Sequence, residues 1–464
     1  MAQEEINSQR VCWDIQDKFT CDVLVIGGGT AGIAAAVACA RHGARTVLIE
    51  RFGCLGGMAT TGLVGPFMTS FDKSGREPTV KGIFDELVLR MVELGGAVHP
   101  KEVPAGSPYT SYFPSDLQTH HNVTPFDPEI MKYVAQEMLV EAGVEIRFHT
   151  AFADTLVKED GIQFVVFWDK TGLGIGRAKT VIDCSGDGDV GARAGNPFEK
   201  GREDGKLQPA SMFLRIGGVD DVRVDEWMKA HPGEMMFQSI VAEAKAAGTF
   251  PSSLVRKDIQ LYRQPRPGEW RINSTRIFDV DGTDSVSLSR GEITGRRQAL
   301  DLVRFLKCSC PGCENAYLMD TGAQVGIRET RRILGLHYLT KEQVRDAVHF
   351  DDAVARYYFF MDLHNPGSGI DQEASQRMMI DGGEYFEIPY GCLVAVKIRN
   401  LLMAGRCIST DRYANGAVRV MPACFATGQA AGTAAALALS RDRFPREVDV
   451  AELRQVLRQD GCVV

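Results

Sequence analysis

The first regular pattern in the chain is an apolar run at residues 23–26, followed by a cluster of glycines and a stretch of small apolar residues. A second apolar run at residues 46–49 ends at an acidic residue. Apolar runs of this length are typical of buried parallel strands, and the small-residue stretch between them has the length of a helix. The pattern therefore predicts a strand–helix–strand unit at the start of an α/β fold.

The glycines of this unit have the spacing of a dinucleotide-binding turn. Gly27, Gly29 and Gly32 form the pattern G-x-G-x-x-G, and Glu50 follows the second predicted strand. Gly27 permits the tight turn, Gly29 lets the backbone approach a pyrophosphate, and Gly32 lets the helix pack on the strand. The carboxylate of Glu50 suits a ribose diol and would repel a phosphorylated ribose. The unit therefore predicts a dinucleotide site.

Residues 125–183 predict a helix, a short strand and a three-stranded meander. Gly172, Gly174 and Gly176 lie between two of these strands with no helix after them, which favours a hairpin turn over a second nucleotide loop. The third strand runs into Gly186 and Asp187. These two residues are therefore expected at the carboxyl edge of the sheet, where ligands bind in doubly wound folds.

A strand, a glycine turn and a small-residue helix return after residue 388. They predict an α/β fold in which a discontinuous Rossmann-like domain, with a central parallel sheet and a β-meander, carries an inserted α+β substrate domain. The predicted nucleotide domain comprises residues 21–67, 125–205 and 385–445, and the predicted substrate or cap domain comprises residues 68–124 and 206–384. Residues 1–20 are expected to form an N-terminal extension, and residues 446–464 a C-terminal helix.

The composition narrows the class of protein. The 464 residues carry a formal net charge of -8, which disfavours nucleic acid and anionic membranes as main partners. No apolar run reaches the roughly 18 residues of a spanning helix. The polar N-terminus is unlike a signal peptide, and the 12 cysteines are scattered, many of them in apolar segments. We therefore expect a cytoplasmic protein with free thiols.

Six segments together resemble the glutathione-reductase-like FAD proteins, and within them the group called FAD-dependent oxidoreductase, which is related at fold level to the fumarate reductase flavoproteins. The segments are DVLVIGGGTAGIAAAVACARHGARTVLIE, ERFGCLGGMATTGLV, VIDCSGDGDVGARAG, GIRETRRILGLHYLT, IPYGCLVAVKIRNLLMAGRCIS and RVMPACFATGQAAGTAAALA. They extend over most of the chain. The resemblance implies FAD, not NAD, as the cofactor.

The resemblance also implies which residues hold FAD, with the adenosine on the first glycine turn and the flavin beyond the second glycine pair. The implied cofactor-binding residues are Gly27, Gly28, Gly29, Thr30, Ala31, Gly32, Glu50, Arg51, Gly56, Gly57, Met58, Ala151, Phe152, Cys184, Ser185, Gly186, Asp187, Gly405, Arg406, Val420, Met421 and Gln429. The helix N-terminus near Gln429 is expected to direct its dipole at the flavin. The chain departs from the resemblance at Gly391, where the family often has arginine.

Three side chains are candidates for catalysis. Arg328 and Arg332 are expected on one face of a helix, where a guanidinium could pair with a substrate carboxylate or, with Glu329, fix a domain interface. His364, in a loop, and Tyr390, just before the last strand, are candidate proton-transfer groups. These assignments rest on residue type and position, and the interface alternative stays open.

Two further groups of polar side chains have an ordinary and a functional interpretation. His120 and His121 end a long polar loop and could line a substrate site or be plain loop residues. Cys310 and Cys313 form a C-x-x-C pair with Cys308 nearby, as in some redox and zinc sites. Disulfide reductases of this fold have their pair just after the first glycine region, and zinc would need a fourth ligand, so we predict no metal.

The sequence therefore predicts an FAD-dependent dehydrogenase or oxidase that takes a hydride from a C–H bond of a small organic substrate. Two alternatives stay open, namely a thiol or disulfide redox protein using Cys310 and Cys313, and a flavin-binding protein without catalysis. The electron acceptor could be oxygen, a quinone or a partner protein. The sequence names neither the substrate nor the oligomeric state, and a homo-oligomer remains open.

Overall fold

The computed structural model describes residues 14–110, 120–364 and 377–464. Residues 1–13 of the predicted extension and residues 111–119 of the predicted cap segment lie outside these ranges. The strands, in chain order, are β1 (Gln16–Ile26), β2 (Thr46–Ile49), β3 (Glu145–Arg147), β4 (Ala151–Lys158), β5 (Gly161–Asp169), β6 (Gly172–Asp183), β7 (Phe198–Lys200), β8 (Leu214–Gly217), β9 (Leu261–Arg263), β10 (Trp270–Ile272), β11 (Tyr317–Thr321), β12 (Arg331–Ile333), β13 (Ala353–Tyr357), β14 (Met361–Asp362), β15 (Arg377–Met378), β16 (Phe386–Pro389) and β17 (Leu401–Met403). The helices are α1 (Thr30–Arg41), α2 (Ile83–Glu93), α3 (Pro128–Glu141), α4 (Asp189–Arg193), α5 (Asp221–Ala230), α6 (Gln238–Ala246), α7 (Ser285–Ser309), α8 (Lys341–Arg345), α9 (Arg412–Val418), α10 (Met421–Ser440) and α11 (Val450–Gln459).

The main sheet contains the strand–helix–strand unit that the sequence predicts. β3, β2, β1 and β6 are parallel neighbours in that order, and β17 joins the carboxyl end of β6, also in parallel. The start of β6 pairs antiparallel with β5, which pairs with β4. A long β6 thus serves both the parallel sheet and the meander, and the α/β fold class is confirmed.

The glycines at residues 172–176 belong to the β5–β6 hairpin. β5 ends at Asp169 and β6 begins at Gly172, where the two strands pair antiparallel. A Cβ on Gly174 would lie 2.8 Å from a ring carbon of Phe167, and one on Gly176 would lie 2.3 Å from a ring carbon of Phe19. Neighbouring aromatic rings therefore leave little room for a side chain at Gly174 and Gly176. The antiparallel pairing of β5 and β6 confirms the predicted hairpin.

β1 is longer at its start than the apolar run predicts. It begins at Gln16, and residues 16–21 pair with β6, whereas pairing with β2 starts only at Val23. The first residues of β1 are largely exposed. Backbone pairing with one long neighbour forms a strand without an apolar pattern, so residues 16–20, predicted as an extension, lie in the sheet.

Two small-residue helices, α1 and α10, pack together at backbone distance. A Cβ added to Gly428 would lie 2.2 Å from the carbonyl oxygen of Ala31, and one added to Gly432 would lie 2.3 Å from that of Ala35. Any side chain at these two glycines would push the helices apart. This contact explains the alanine and glycine composition of both helices and joins the two ends of the chain.

A second sheet lies apart in sequence from the first. Its strand order is β11-β8-β10-β9, and the neighbours within it are antiparallel. Trp270 on β10 is fully buried, and its indole nitrogen donates to Asp221 of α5 at 2.8 Å. All four strands lie within residues 206–384, the larger segment of the predicted substrate domain. Within the residues described, no helix is both long and apolar enough to cross a bilayer.

Candidate functional site

A cavity of about 720 Å³ lies between the two sheets. One end of its wall includes Ile26 and Ile49, the last residues of β1 and β2, and Cys184, which follows β6. The other end includes Phe213 and Tyr262, which lie beside or on strands of the second sheet. In open α/β sheets ligands bind beyond the carboxyl ends of the strands, so this cavity is the candidate site.

The glycines of the first turn have different physical reasons to be glycine. A Cβ on Gly27, whose φ is +99°, would lie 2.6 Å from the carbonyl oxygen of Cys184, and one on Gly32 would lie 1.8 Å from that of Gly27. A Cβ on Gly29 would meet only the Cα of Gly57, at 4.0 Å. Gly29 precedes the first residue of α1 and lines the cavity. Its missing side chain therefore leaves room for a ligand at a helix N-terminus, which suits a pyrophosphate.

Glu50 is fixed at the end of β2 by two backbone donors. The N–H of Gly28 donates to one carboxylate oxygen at 2.7 Å, and the N–H of Phe52 donates to the other at 2.9 Å. Burial raises the pKa of Glu50, and the two backbone hydrogen bonds oppose that rise. The carboxylate is thus held at the cavity wall, where a ribose hydroxyl could donate to its remaining lone pairs.

The structure places most of the predicted cofactor residues on one wall. Those that line the cavity are Gly27, Gly29, Thr30, Ala31, Glu50, Arg51, Gly57, Met58, Ala151, Phe152, Cys184, Ser185, Gly186, Asp187, Gly405, Arg406, Val420 and Met421. Gly28, Gly32 and Gly56 are not part of the wall. The N–H of Gly56 donates to the carbonyl oxygen of Gly28 at 2.8 Å, so the second glycine pair is held against the first turn.

The helix N-terminus expected near Gln429 lies elsewhere. α10 begins at Met421 with Val420 as its N-cap, and both residues line the cavity. Gln429 lies inside the helix and accepts a hydrogen bond from the N–H of Ile83 at 2.9 Å. Pro422 in the first turn is the sequence signal that marks the true start. The positive end of the α10 dipole therefore faces the cavity at Val420 and Met421.

Arg406 forms hydrogen bonds to the part of the cavity wall that follows β6. Its Nε donates to the carbonyl oxygen of Gly186 at 2.8 Å, and its Nη2 donates to Asp187 Oδ1 at 2.6 Å. Its Nη1 donates to the carbonyl oxygen of Ile327. Both members of the Arg406–Asp187 ion pair are largely buried. Arg406 thus ties the end of the parallel sheet to the segment at residues 323–328.

The segment at residues 323–327 lines the cavity. Residues 326 and 327 begin a segment that carries the family resemblance, whereas the sequence analysis did not single out residues 323–325. It is held by backbone pairing of Gly326 with Ser211 and by the N–H of Val325, which donates to Glu292 at 2.6 Å. Gln324 accepts from Arg51 at 2.8 Å. The two glycines at 322 and 326 are a weak signal, because nothing local distinguishes this segment from an ordinary turn.

Tyr390 does not lie at the cavity, although the sequence analysis proposed it as a proton-transfer group of the site. Its side chain is buried, and its hydroxyl donates to the carbonyl oxygen of Pro445 at 2.8 Å. It is not part of the cavity wall. The hydroxyl therefore joins the segment after β16 to the chain beyond α10.

Replacing this tyrosine should affect stability and leave the site intact. Tyr390→Phe removes one buried hydrogen bond and should lower the free energy of unfolding by about 1 kcal/mol. FAD affinity and the rate of flavin reduction should stay at wild-type values in a titration and a stopped-flow assay. A variant with wild-type stability and lost activity would return Tyr390 to a catalytic role.

Arg328 lies on the cavity wall, but not on a helix. Residues 327–330 are irregular, and β12 begins at Arg331. Arg331 pairs with Asp189 at 2.8 Å and Arg332 pairs with Glu199 at 3.2 Å, so neither shares a helical face with Arg328. The spacing of the arginines predicts a helix. Residues 331–333 instead form β12, because they pair with β7.

Glu329 belongs to the interior. It accepts hydrogen bonds from the backbone N–H of Gln208 at 2.8 Å and from its side-chain amide at 3.0 Å. Arg412 Nε lies 3.4 Å from the same carboxylate. These contacts agree with the interpretation of Glu329 as part of a network that fixes an interface.

The part of the cavity away from the glycine turn, called the far half below, is polar, charged and partly aromatic. Its wall includes His120, Phe213, Tyr262, Glu292, Arg296, Arg328, Phe359, Phe360, Asp362, His364 and Arg419. His120 is one of the two loop histidines that the sequence proposed, and its ring centroid lies 6.2 Å from that of Phe360. His121 is not on the wall, and its Nδ1 lies 2.8 Å from Asn122 Oδ1.

His364 has both ring nitrogens engaged by protein groups. Arg276 Nη2 lies 2.7 Å from Nδ1, and since a guanidinium only donates, Nδ1 must accept. The proton is therefore on Nε2, which donates to Asp362 Oδ2 at 2.9 Å. Burial lowers the pKa of His364 to about 3, with Arg328 and Arg276 contributing and Asp362 opposing. His364 is neutral at ordinary pH.

The C-x-x-C pair lies away from the cavity. Cys310 and Cys313 are free thiols buried in the core beside the second sheet. Burial raises the pKa of Cys313 to about 12 and that of Cys310 well above its usual value. Neither thiol lines the cavity. No group of three or more His, Cys, Asp or Glu side chains suited to a metal occurs among the described residues.

Comparison with known proteins gives a family match. The model of the family described as FAD dependent oxidoreductase matches residues 22–457. No curated protein sequence matches significantly. Among solved structures, a geranylgeranyl bacteriochlorophyll reductase-like protein from Thermoplasma acidophilum is similar, with 13% identity, a TM-score of 0.46, and coverage of 95% of this chain and 83% of its own. The p-nitrophenol 4-monooxygenase PnpA from Pseudomonas putida DLL-E4 has 12% identity, a TM-score of 0.46, and coverage of 94% and 83% respectively.

Proposed function

The chain belongs to the FAD dependent oxidoreductase family, and on that basis we propose that it is a dehydrogenase or oxidase that acts on a C–H bond of a small organic substrate. It is an enzyme, and FAD is its cofactor. When bound, FAD supplies the redox chemistry by accepting a hydride. The protein supplies binding, orientation and electrostatics.

One observation carries the proposal, namely that the glycine turn and the polar far half line one continuous cavity. The open space at Gly29, the fixed carboxylate of Glu50 and the start of α10 at Met421 suit an extended dinucleotide. A cofactor that begins at Gly29 can extend toward the far half. The substrate would then lie at the opposite end from the adenosine.

The residues that would hold FAD are those of the near wall. Gly29 and the first N–H groups of α1 would face the pyrophosphate, and Glu50 would accept from the ribose hydroxyls. Gly57 and Met58 would lie along the middle of the cofactor. Gly405 and the Val420–Met421 turn would lie beside the flavin.

The far half would orient the substrate and limit its contact with water. Phe213, Phe359 and Phe360 offer apolar surface, which excludes water from a reacting centre. Arg328 offers guanidinium donors to an acceptor group on the substrate. His364, with both nitrogens engaged, would hold Arg276 and Asp362 in place and not exchange protons itself.

A donor screen on the FAD-loaded protein tests the proposal. Under anaerobic conditions, at least one small hydroxy acid, amine or sugar derivative should bleach the flavin absorbance at a catalytic rate. NADH and NADPH should bleach it slowly, because the sequence contains one dinucleotide fingerprint and that one is assigned to FAD. Free FAD with the same donors is the control. Rapid bleaching by a nicotinamide would contradict the proposal, as would failure of every organic donor.

A further inference from the structure

The arginines in the far half differ in their partners. Arg296 lies 3.1 Å from Glu292, one turn away on α7. Arg419 lies 3.5 Å from Asp362 Oδ2. Arg328 pairs with no carboxylate among the described residues, and its one hydrogen bond there goes to the carbonyl oxygen of Pro209. Arg328 thus presents to the cavity a guanidinium that pairs with no carboxylate of the described residues.

The charged groups around Arg328 that the structure describes are engaged with other partners. Arg276 donates a hydrogen bond to the neutral ring of His364, and Arg256 pairs with Asp258 at 3.1 Å. Asp362 is shared between His364 at 2.9 Å and Arg419. Asp362 therefore offsets part of the charge of all three of Arg276, Arg328 and Arg419, and among the described residues no carboxylate pairs with Arg328 itself.

The excess positive charge shows in the ionisation of these side chains. Burial lowers the pKa of Arg328 to about 9, and the neighbouring Arg276 and Arg419 lower it further than Asp362 restores. Burial also lowers the pKa of Arg276 to about 10. Both stay charged at neutral pH, and a partly buried charge that no carboxylate pairs with is costly. A bound anion would remove that cost.

We propose that the substrate carries a carboxylate and that Arg328 binds it in the far half of the cavity. The inference rests on the proposed function, because it names the substrate class of the same site. A guanidinium fork matches the two oxygens of a carboxylate. The guanidinium of Arg328 suits a single negative charge, whereas a phosphate dianion would need further donors. Phe213, Phe359 and Phe360 suit the organic remainder of a small acid.

Binding of simple acids to the FAD-loaded protein tests this without turnover. The probes are acetate and benzoate, their neutral counterparts acetamide and benzamide, and methyl phosphate, each titrated while the flavin difference spectrum is recorded. Each carboxylate should bind at least about tenfold more tightly than its amide, since hydrogen bonds to charged groups are the stronger ones. Equal binding of acid and amide, or preference for methyl phosphate, would overturn the inference.

Variants at Arg328 give the residue-level test. Arg328→Gln should weaken carboxylate binding by a factor on the order of 10 to 100 and weaken amide binding much less, because only the carboxylate loses a charged partner. Arg328→Lys keeps the charge and loses the planar fork, so its carboxylate affinity should lie between those of the wild-type protein and Arg328→Gln. Arg304→Gln is the matched control, because Arg304 is exposed on α7 and pairs only loosely with Asp301 at 3.7 Å. Wild-type carboxylate binding in a folded Arg328→Gln protein would overturn the assignment.

The outcomes separate this inference from the proposed function. If neutral donors bleach the flavin while carboxylates fail to bind, the substrate class is wrong and the oxidoreductase proposal stands. If no donor of either kind bleaches the flavin, the proposed function fails. Should Arg328→Gln not fold, the comparison of acids with amides in the wild-type protein and in Arg328→Lys decides the matter.

Discussion

The Gly29→Ala protein is expected to fold normally and to bind FAD poorly, whereas Gly32→Ala is expected to be strongly destabilised. A Cβ at position 29 would meet only the Cα of Gly57 at 4.0 Å, and the φ of −71° there suits any residue. The methyl group would instead occupy space beside the helix N-terminus. Overpacking costs about 1–3 kcal/mol, which corresponds to roughly fivefold to 150-fold weaker FAD binding.

Gly32→Ala should lower stability instead, because the added Cβ would clash with the protein's own backbone. A Cβ there would lie 1.8 Å from the carbonyl oxygen of Gly27, so α1 would have to move away from the turn. We expect a loss of about 3 kcal/mol or more in the free energy of unfolding of the apo-protein. Thermal unfolding without FAD and a fluorescence titration with FAD measure the two effects separately. Wild-type FAD affinity in Gly29→Ala would show that no ligand approaches this turn.

Arg406→Met is expected to lower the stability of the apo-protein by about 3–5 kcal/mol, because it leaves a buried carboxylate without its partner. Asp187 also accepts from Thr330 Oγ1 at 2.8 Å, and that neutral hydroxyl cannot replace the lost charge. The link to Ile327 is lost as well. The segment at residues 323–327 should therefore loosen, which limited proteolysis would detect.

Two further proteins make this prediction specific. Arg304→Met removes an arginine from an exposed pair and should change stability by about 0.5 kcal/mol or less. Arg406→Met combined with Asp187→Asn should recover part of the loss, since no uncompensated charge remains. Equal stability of Arg406→Met and Arg304→Met in urea unfolding would mean that the buried network contributes nothing net.

The features that could be predicted from sequence are those whose causes are local. The apolar runs of β1 and β2, the turn at Gly27 and Gly32 and the acid at Glu50 depend on neighbours within one βαβ unit. The β5–β6 hairpin likewise follows from short-range pattern. Family resemblance added residues of the wall that local rules alone would not select, such as Gly405 and Met421.

Errors arose where a local pattern had more than one tertiary solution. The string around Arg328 has helical spacing, but pairing of Arg331–Ile333 with β7 makes it extended. Tyr390 precedes a returning strand as expected, yet its hydroxyl is used by Pro445. The start of α10 was misplaced because a long run of small residues has no internal marker except Pro422.

The sequence by itself determined that this chain has a dinucleotide turn and a sheet to carry it, and its resemblance to a known family implied FAD. Only the tertiary structure decided which side chains face the other end of the cavity. Arg328, Asp362 and Arg419 come from distant parts of the chain, and their charges balance or fail to balance only once they are brought together. Local propensity fixes backbone conformation over a few residues, whereas an electrostatic environment depends on every group within several ångströms, whatever its position in the sequence.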